Sequence, residues 1–261
     1  MARLAPGTVL QLTYLNERLG KMKPGCFIEI GPGTGEITKL LLNLGWTGSS
    51  YDIDENTIAG LRSRFALEIS NQSYNPVNSD YLLSPAPDKK VDLVISCMVM
   101  EHLADELAFM QKSRECLKTD GLMIGIVPSS PGHWGIEDDV AGHLRRYTRQ
   151  TLKELIEKSR WQLLHIAGLT YPLSNWLLPI SNFLVNRSER SKLSLSTLER
   201  TKQSGRRTVK FKTYFPVILA PLVNRYTLYP LHIMQKLFAE SENSLVLYFE
   251  TRPCIEENKN D

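Results

Sequence analysis

Glu29-Ile30-Gly31-Pro32-Gly33-Thr34-Gly35 is the stretch on which the fold turns. Before it, Cys26-Phe27-Ile28-Glu29-Ile30 is a short apolar run with the length of a buried strand. After it, Ile37, Leu40, Leu41 and Leu44 recur at helical spacing. The three glycines therefore occupy a strand-to-helix turn. Without a Cβ they accept positive φ and let a ligand approach the main chain. The unpaired N–H groups that open the helix then face that ligand.

The dinucleotide fingerprint G-x-G-x-x-G is met at Gly31 and Gly33 but fails at Glu36. The glycines run G-x-G-x-G through Gly35 instead, with Glu29 two residues ahead. A second strand, about Gly48 to Ile53, ends Tyr51-Asp52-Ile53-Asp54. At its tip the Asp52 carboxylate is placed to accept two ribose hydroxyls. A turn that only packs helix on strand, with Asp52 a solvated strand end, is the bland alternative.

This order of glycine turn and acid resembles motif I and the acidic loop of the class I S-adenosylmethionine-dependent methyltransferases. The resemblance implies that Glu29, Gly31, Gly33 and Gly35 hold the methionine part of that cofactor. Asp52, with Ile53 beside it, would then hold the ribose. Further along, Tyr74 to Asn78 is a weak strand that the alternation requires, leading into Asn78-Ser79-Asp80-Tyr81-Leu82. The resemblance gives Asp80, with Tyr81, the adenine amino group; a turn aspartate is the other reading. Val91-Asp92-Leu93-Val94-Ile95-Ser96 is the clearest strand and runs into Cys97-Met98-Val99-Met100-Glu101-His102-Leu103. It is similar to motif IV of the small-molecule branch, D-L-V-x-S…E-H-L, and places Cys97 at the cofactor.

Elements fill the space on either side. Leu12, Leu15 and Leu19 mark a helix over Val9 to Leu19, ended near Gly20 and Pro24. Ile58, Leu61 and Phe65 mark another. Leu103, Leu107, Met110 and Leu117 mark a helix stopped at Asp120-Gly121, and Leu122 to Val127 is a strand ended by Pro128. Thr151-x-x-Glu154 reads as a capping box for a helix through Leu152, Leu155 and Ile156. Strands near Trp161 to Ala167 and Ser244 to Thr251 complete the set. Strict alternation of strand and helix predicts an α/β fold with a parallel sheet covered on both faces. Gly31, Asp52, Asp80 and Cys97 all fall at carboxyl ends of strands, where such sheets bind ligands. The expected architecture is Rossmann-like and doubly wound, with a mostly parallel seven-stranded sheet. The resemblance makes the seventh strand antiparallel. Leu169 to Glu242 is too long for a plain connection and is expected to insert a helical lid between the last two strands. The core would be 1–168 plus 243–261, and the insertion 169–242.

Ser129 to Tyr147 reads as a loop overhanging the methyl end of the cofactor. It carries Pro131-Gly132-His133-Trp134, Asp138-Asp139 and Gly142-His143-Leu144-Arg145-Arg146-Tyr147-Thr148. The last run resembles methyltransferases acting on glycans, lipids and natural products. A sulfonium methyl is already activated, so the enzyme must mainly align the nucleophile. A hydroxyl acceptor also needs a base. His143 and His102 are the candidates, although His102 reads equally as a core histidine. Tyr147 joins them as a catalytic candidate, and Trp134, Asp139 and Arg146 as acceptor-side residues. His133, His165 and His232 read as structural or solvated. Some quinone O-methyltransferases bind a divalent cation through S-E-x-x-E-H. Here Met98, a poor ligand for magnesium, replaces the first acid, and no catalytic metal is expected.

The totals narrow the partners. A net charge of +3 does not by itself argue for nucleic acid. Cys26, Cys97, Cys116 and Cys254 are scattered, which fits a reducing compartment and no zinc site. No apolar h-region follows Met1, and no run approaches the ~20 apolar residues of a bilayer span. A cytoplasmic enzyme is expected. Arg187 to Lys212 holds nine Lys or Arg against two Glu, and apolar segments flank it at Tyr171–Val185 and Tyr214–Phe238. Peripheral contact of 171–238 with the inner face of a membrane is one reading; a lid and a homodimer contact are the others. The functional expectation is methyl transfer from S-adenosylmethionine to a hydroxyl of a small-molecule, glycan or lipid-linked acceptor. A non-catalytic partner subunit, a nicotinamide-dependent dehydrogenase and an RNA methyltransferase stay as alternatives. Glu36 speaks against the dehydrogenase. The lack of an N/D-P-P-Y/F run after the fourth strand speaks against base methylation.

Overall fold

The structure, a computed structural model, describes residues 4–205, 209 and 221–254. Its sheet is built from β1 (Cys26–Ile30), β2 (Thr47–Asp52), β3 (Tyr74–Asn78), β4 (Val91–Cys97), β5 (Leu117–Pro128), β6 (Trp161–Leu169) and β7 (Val246–Pro253). The strand order is β3-β2-β1-β4-β5-β7-β6. The pairs from β3 across to β5 are parallel. β7 runs antiparallel to both β5 and β6. The long chain segment between β6 and β7 lets the last strand return in the opposite sense.

Apolar residues alternate along each strand and sort onto two faces. On one face Phe27, Leu93, Ile95, Ile124 and Tyr248 are buried. They meet Leu15 and Leu19 of α1 (Pro6–Leu19), Leu41 of α2 (Glu36–Asn43), and Ile58 and Leu61 of α3 (Glu55–Arg64). A short α4 (Ala66–Ser70) follows α3. On the other face Ile28, Val94, Met123, Leu247 and Phe249 meet Phe109 and Met110 of α5 (Glu106–Cys116). Leu152 and Ile156 of α7 complete that layer; α6 (Ile136–Ala141) and α7 (Arg149–Lys158) follow β5 in the chain. Each fully buried side chain of this size contributes roughly 1.5–3 kcal/mol. Helices on both faces of a mostly parallel sheet are the doubly wound arrangement that the alternation predicts.

Three local expectations change. The fifth helix stops at Cys116 rather than at Asp120-Gly121. Leu117 is buried and pairs with Val91, and Lys118 bonds Asp92 at 2.7 Å, so the chain is already extended there. Asp120-Gly121 falls instead at an irregularity in the β4–β5 pairing. The cap of α7 is Thr148, whose hydroxyl accepts from Thr151 N at 3.0 Å while the Thr151 hydroxyl accepts from Thr148 N. Glu154 bonds Gln150 and takes no part in the cap. Within Ser129–Tyr147 the chain forms a turn of 3-10 helix at Pro131–His133 and then α6. The start of α6 is fixed by the Asp138 carboxylate, which accepts from Gly135 N at 2.9 Å.

Between β6 and β7 lie α8 (Leu173–Glu189), α9 (Thr197–Ser204) and α10 (Tyr229–Leu237). α10 returns to α1: His232 Nε2 lies 2.7 Å from Glu17 Oε1, and Gln235 donates to Leu10 O. Residues 206–208 and 210–220, which hold the end of the basic segment and the start of the second apolar one, lie outside the described residues. Among the described residues no helix is long and apolar enough to cross a membrane.

Candidate active site

The sheet order reverses between β1 and β4, and a cavity of about 950 Å³ opens at that switch point, over the carboxyl ends of the strands. Ligand sites in proteins span about 300–1,000 Å³, and this cavity lies at the upper end of that range. β1 delivers Glu29 and Gly31 to its wall and β2 delivers Asp52, with Ile53 beside it. The turn after β3 delivers Asp80 and Tyr81, and β4 delivers Cys97. The four strand-end placements expected from the sequence thus meet in one cavity.

The glycine turn takes its shape from left-handed backbone. Gly31 has φ +66° and Gly35 φ +80°. A Cβ on Gly31 would stand 2.5 Å from Val99 Cγ2, and one on Gly35 2.7 Å from Leu61 and Phe65. Gly31 and Gly33 line the cavity; Gly35 lies behind it as the N-cap of α2. Asp52 Oδ1 accepts from Asp54 N at 2.8 Å, which holds the carboxylate at the strand tip. Asp80 is held in the same way by Leu82 N at 2.9 Å.

Glu29 is buried, and its Oε2 accepts from Thr38 Oγ1 at 2.5 Å and Ser50 Oγ at 2.6 Å. Burial outweighs these bonds and pushes its carboxyl up to about 7. Between the ordinary carboxylate range and pH 7 the folded state therefore holds a proton that the unfolded state has lost. Stability falls as pH rises through that window, by about 3 kcal/mol for a shift of this size. Glu29→Gln, which can still accept both hydroxyls, is expected to flatten that slope in denaturant titrations across the window. An unchanged slope would assign the pH dependence elsewhere.

Two histidines also line the cavity. His143 Nδ1 lies 2.8 Å from Asp138 Oδ1, and Asp138 also accepts from Arg146 Nε at 2.8 Å. Burial opposes the Asp138 charge, but the hydrogen bonds from His143 and Arg146 prevail and hold its carboxyl down at about 2. An anionic Asp138 assigns the Nδ1 proton to His143 and leaves Nε2 as its second site. Nε2 stands 3.7 Å from Glu101 Oε1. Glu101 is fully buried, neither of its oxygens accepts a hydrogen bond among the described residues, and burial pushes its carboxyl up to about 7. His102 Nδ1 faces Gly142 O at 3.3 Å and Thr201 Oγ1 at 3.2 Å. A carbonyl can only accept, so Nδ1 carries the proton. Burial holds His102 down at about 4. Glu101, His102 and His143 bring one ligand atom each within 4.8 Å of one another, a set that could hold a divalent ion.

His102, His143 and Arg146 line the cavity. Tyr147, Trp134 and Asp139 lie off its wall. Tyr147 is buried and donates to Glu106, which Arg145 also holds. Trp134 Nε1 donates to Asp139 Oδ1 at 3.0 Å, so these two are occupied with each other. His165 and His232 bond Tyr14 and Glu17 of α1, away from the cavity. Asp138, Glu101 and Thr201 were not singled out from the sequence. Asp138 and Asp139 are adjacent, and only the phase of α6 turns the first inward. Thr201 reaches His102 from α9, and no local pattern signals a contact across 99 residues.

α8 and α9 close the cavity. Ser174, Leu177, Leu178, Ile180 and Ser181 of α8 form one wall. α9 crosses the glycine turn: a side chain on Gly33 would meet the Gly205 carbonyl at 3.2 Å. Arg200 ties α9 to the Asp139 carbonyl.

Comparisons with known proteins bear on the family and the fold. The family model described as methyltransferase domain matches residues 3–166. A Mycobacterium tuberculosis protein named a probable S-adenosylmethionine-dependent methyltransferase is 28% identical over 121 residues, 43% of this chain and 42% of that protein. A ubiquinone biosynthesis O-methyltransferase of Caulobacter sp. strain K31 is 29% identical over 97 residues, 37% of this chain and 38% of that one. The chain thus spans about two fifths of the length of these curated relatives. In structure, phosphoethanolamine N-methyltransferase 2 of Haemonchus contortus, solved with S-adenosylhomocysteine, superposes with a TM-score of 0.59 at 14% identity. That match covers 96% of this chain and 54% of the other, and it speaks for the fold alone.

Proposed function

Since this chain belongs to the methyltransferase-domain family of S-adenosylmethionine-dependent enzymes, we propose that it moves a methyl group to a hydroxyl of a small-molecule, glycan or lipid-linked acceptor. The observation that carries the hydroxyl reading is the Asp138–His143 pair, whose histidine lines the same cavity as the glycine turn. The Caulobacter relative's name, an O-methyltransferase, points the same way.

The residues present fit the cofactor. Gly31 and Gly33 line the cavity with left-handed backbone, and Asp52 and Asp80 are held at strand tips by main-chain N–H groups. In this reading Gly31, Gly33 and Glu29 face the methionine part, Asp52 and Ile53 the ribose, and Asp80 and Tyr81 the adenine, with Cys97 between. Gly35 supports the turn from behind. When bound, the cofactor supplies a sulfonium methyl already activated toward in-line attack.

The chain's part is alignment and proton removal. α8 and α9 exclude water and hold the acceptor against the histidine wall. His143 takes the hydroxyl proton on Nε2 while Asp138 stabilises the imidazolium that results. Glu101, 3.7 Å from that nitrogen, adds to this stabilisation when ionised. Burial holds His102 near 4, so its ring stays neutral. Arg146 acts by holding Asp138, and Tyr147 by fixing the Glu106–Arg145 cluster under the same segment. Trp134 and Asp139 brace each other outside the cavity. Residues 169–242 serve as the lid of this site on a core of 1–168 and 243–261, with homodimer contact and peripheral membrane contact as further uses of the same segment. The enzyme works in the cytoplasm.

Methyl transfer with this wall needs no metal. After dialysis against EDTA, turnover is expected to persist. Loss of turnover that a divalent cation restores would reassign Glu101, His102 and His143 to an ion. The acceptor itself is sought by transferring labelled methyl groups from S-adenosylmethionine into fractionated small-molecule, glycan and lipid extracts. Label recovered in a base-stable ether supports the hydroxyl reading, and label in an amine or in RNA overturns it.

A further inference from the structure

α8 shows two different faces. One lines the cavity through Ser174, Leu178 and Ser181. The other carries Trp176, Ile180 and Phe183, which are 63%, 58% and 64% exposed. Their spacing of four and three residues puts them in one row, and Arg187, four further on, continues it. The row from 176 to 187 is about 16 Å long. It begins with tryptophan, passes through apolar side chains, and ends at Arg187 and Arg190, both exposed. No acid lies in the row: the Glu189 side chain is turned inward and bonds Lys192. Monomeric proteins seldom leave three large apolar side chains exposed in register without a use.

The chemistry of the row selects its occupant. An apolar stripe with an aromatic end, continuous with cations and free of acids, fits an interface of acyl chains and anionic headgroups. A second copy of the chain meets it less well. A two-fold contact places the same patch on both sides, and the row offers no acid to face Arg187 and Arg190. Leu177 and Ile180 belong to both faces, since they are exposed and also line the cavity. The row therefore borders the cavity mouth.

We propose that the Trp176–Ile180–Phe183–Arg187 face of α8 docks the protein on an anionic lipid surface, and that an amphiphilic acceptor enters the cavity from that surface past Leu177 and Ile180. The entry half of this statement rests on the methyl-transfer reading of the cavity; the docking half does not.

Flotation of the full chain with vesicles tests it. Binding is expected to vesicles of phosphatidylcholine mixed with phosphatidylglycerol, and at least about tenfold weaker binding to phosphatidylcholine alone. Trp176→Ser/Phe183→Ser and, separately, Arg187→Glu/Arg190→Glu are each expected to weaken binding to the mixed vesicles by about tenfold or more. These side chains are exposed, so both variants should keep the wild-type melting temperature and S-adenosylhomocysteine affinity. Absence of flotation by the wild type, or flotation indifferent to both variants, overturns the proposal. So does a dimer in light scattering that Trp176→Ser/Phe183→Ser dissociates, which would give the face to a second copy. Wild type that binds S-adenosylhomocysteine but does not float strikes the docking claim alone. Wild type that floats but does not bind it strikes the methyl-transfer reading instead.

Discussion

His143→Ala is expected to lower kcat by about 10²–10⁴, the range for removing a positioned general base, with the S-adenosylhomocysteine affinity unchanged. The expectation follows from the wall on which the ring sits. Asp138 is held anionic by Arg146 and fixes the Nδ1 proton of His143 at 2.8 Å. Nε2 is left as the site that can accept a proton, on a residue that lines the cavity. Because His143 is part of a buried network, the alanine also leaves Asp138 short of one donor, which costs ~1–3 kcal/mol of stability. His143→Asn separates the two effects. Its amide can still donate to Asp138 but cannot take the acceptor's proton, so stability should recover while kcat stays low. Turnover near the wild-type level in His143→Asn would move the base to His102 or out of the protein.

Asp52→Ala acts on the other reactant. Its carboxylate stands at the tip of β2, oriented by Asp54 N and open to the cavity. Two ribose hydroxyls left without their acceptor cost ~1–3 kcal/mol. That is about a fivefold to 150-fold rise in the Kd for S-adenosylhomocysteine. kcat at saturating cofactor should change much less. Asp52→Asn, which retains one acceptor oxygen, should fall between. Calorimetric titration reads all three proteins directly. Equal affinity in Asp52→Ala would remove the ribose from this position and leave Asp52 as a strand-end residue.

The parts of this fold legible from the sequence are those set by local pattern. β1 and β3 fall on the expected residues, Cys26–Ile30 and Tyr74–Asn78. Tyr74–Asn78 has poor strand composition, but the requirement for alternation outweighed it. The glycine turn was legible because three glycines in five residues between an apolar run and a helical stripe have few other uses. Asp52 and Asp80 followed because a carboxyl end of a strand is also a position in sequence.

What escaped depends on three-dimensional phase or on distant contact. Thr148 rather than Thr151 caps α7, since both threonines suit the role and only the backbone turn at Thr148 decides. Helix α6 is six residues long and too short to show a period, so Asp138 and Asp139 could not be told apart. The structure turns Asp138 onto His143 and gives Asp139 to Trp134. Glu101 precedes a histidine in a recognisable run, yet the burial that leaves its carboxyl with His143 as its near neighbour is a property of the packed core. The apolar row of α8 was visible as composition, but which of its residues face water and which the cavity required the helix in place.

The central claim is that one cavity holds the cofactor on the Gly31–Asp52–Asp80 side and the acceptor on the His143 side. A crystal structure of the protein with S-adenosylhomocysteine tests it most directly. The account predicts the ribose hydroxyls within hydrogen-bond distance of Asp52, the adenine beside Asp80, and the sulfur turned toward His143 and the α8 wall. A sulfur that faces away from His143, or a ribose bound anywhere but Asp52, would contradict it.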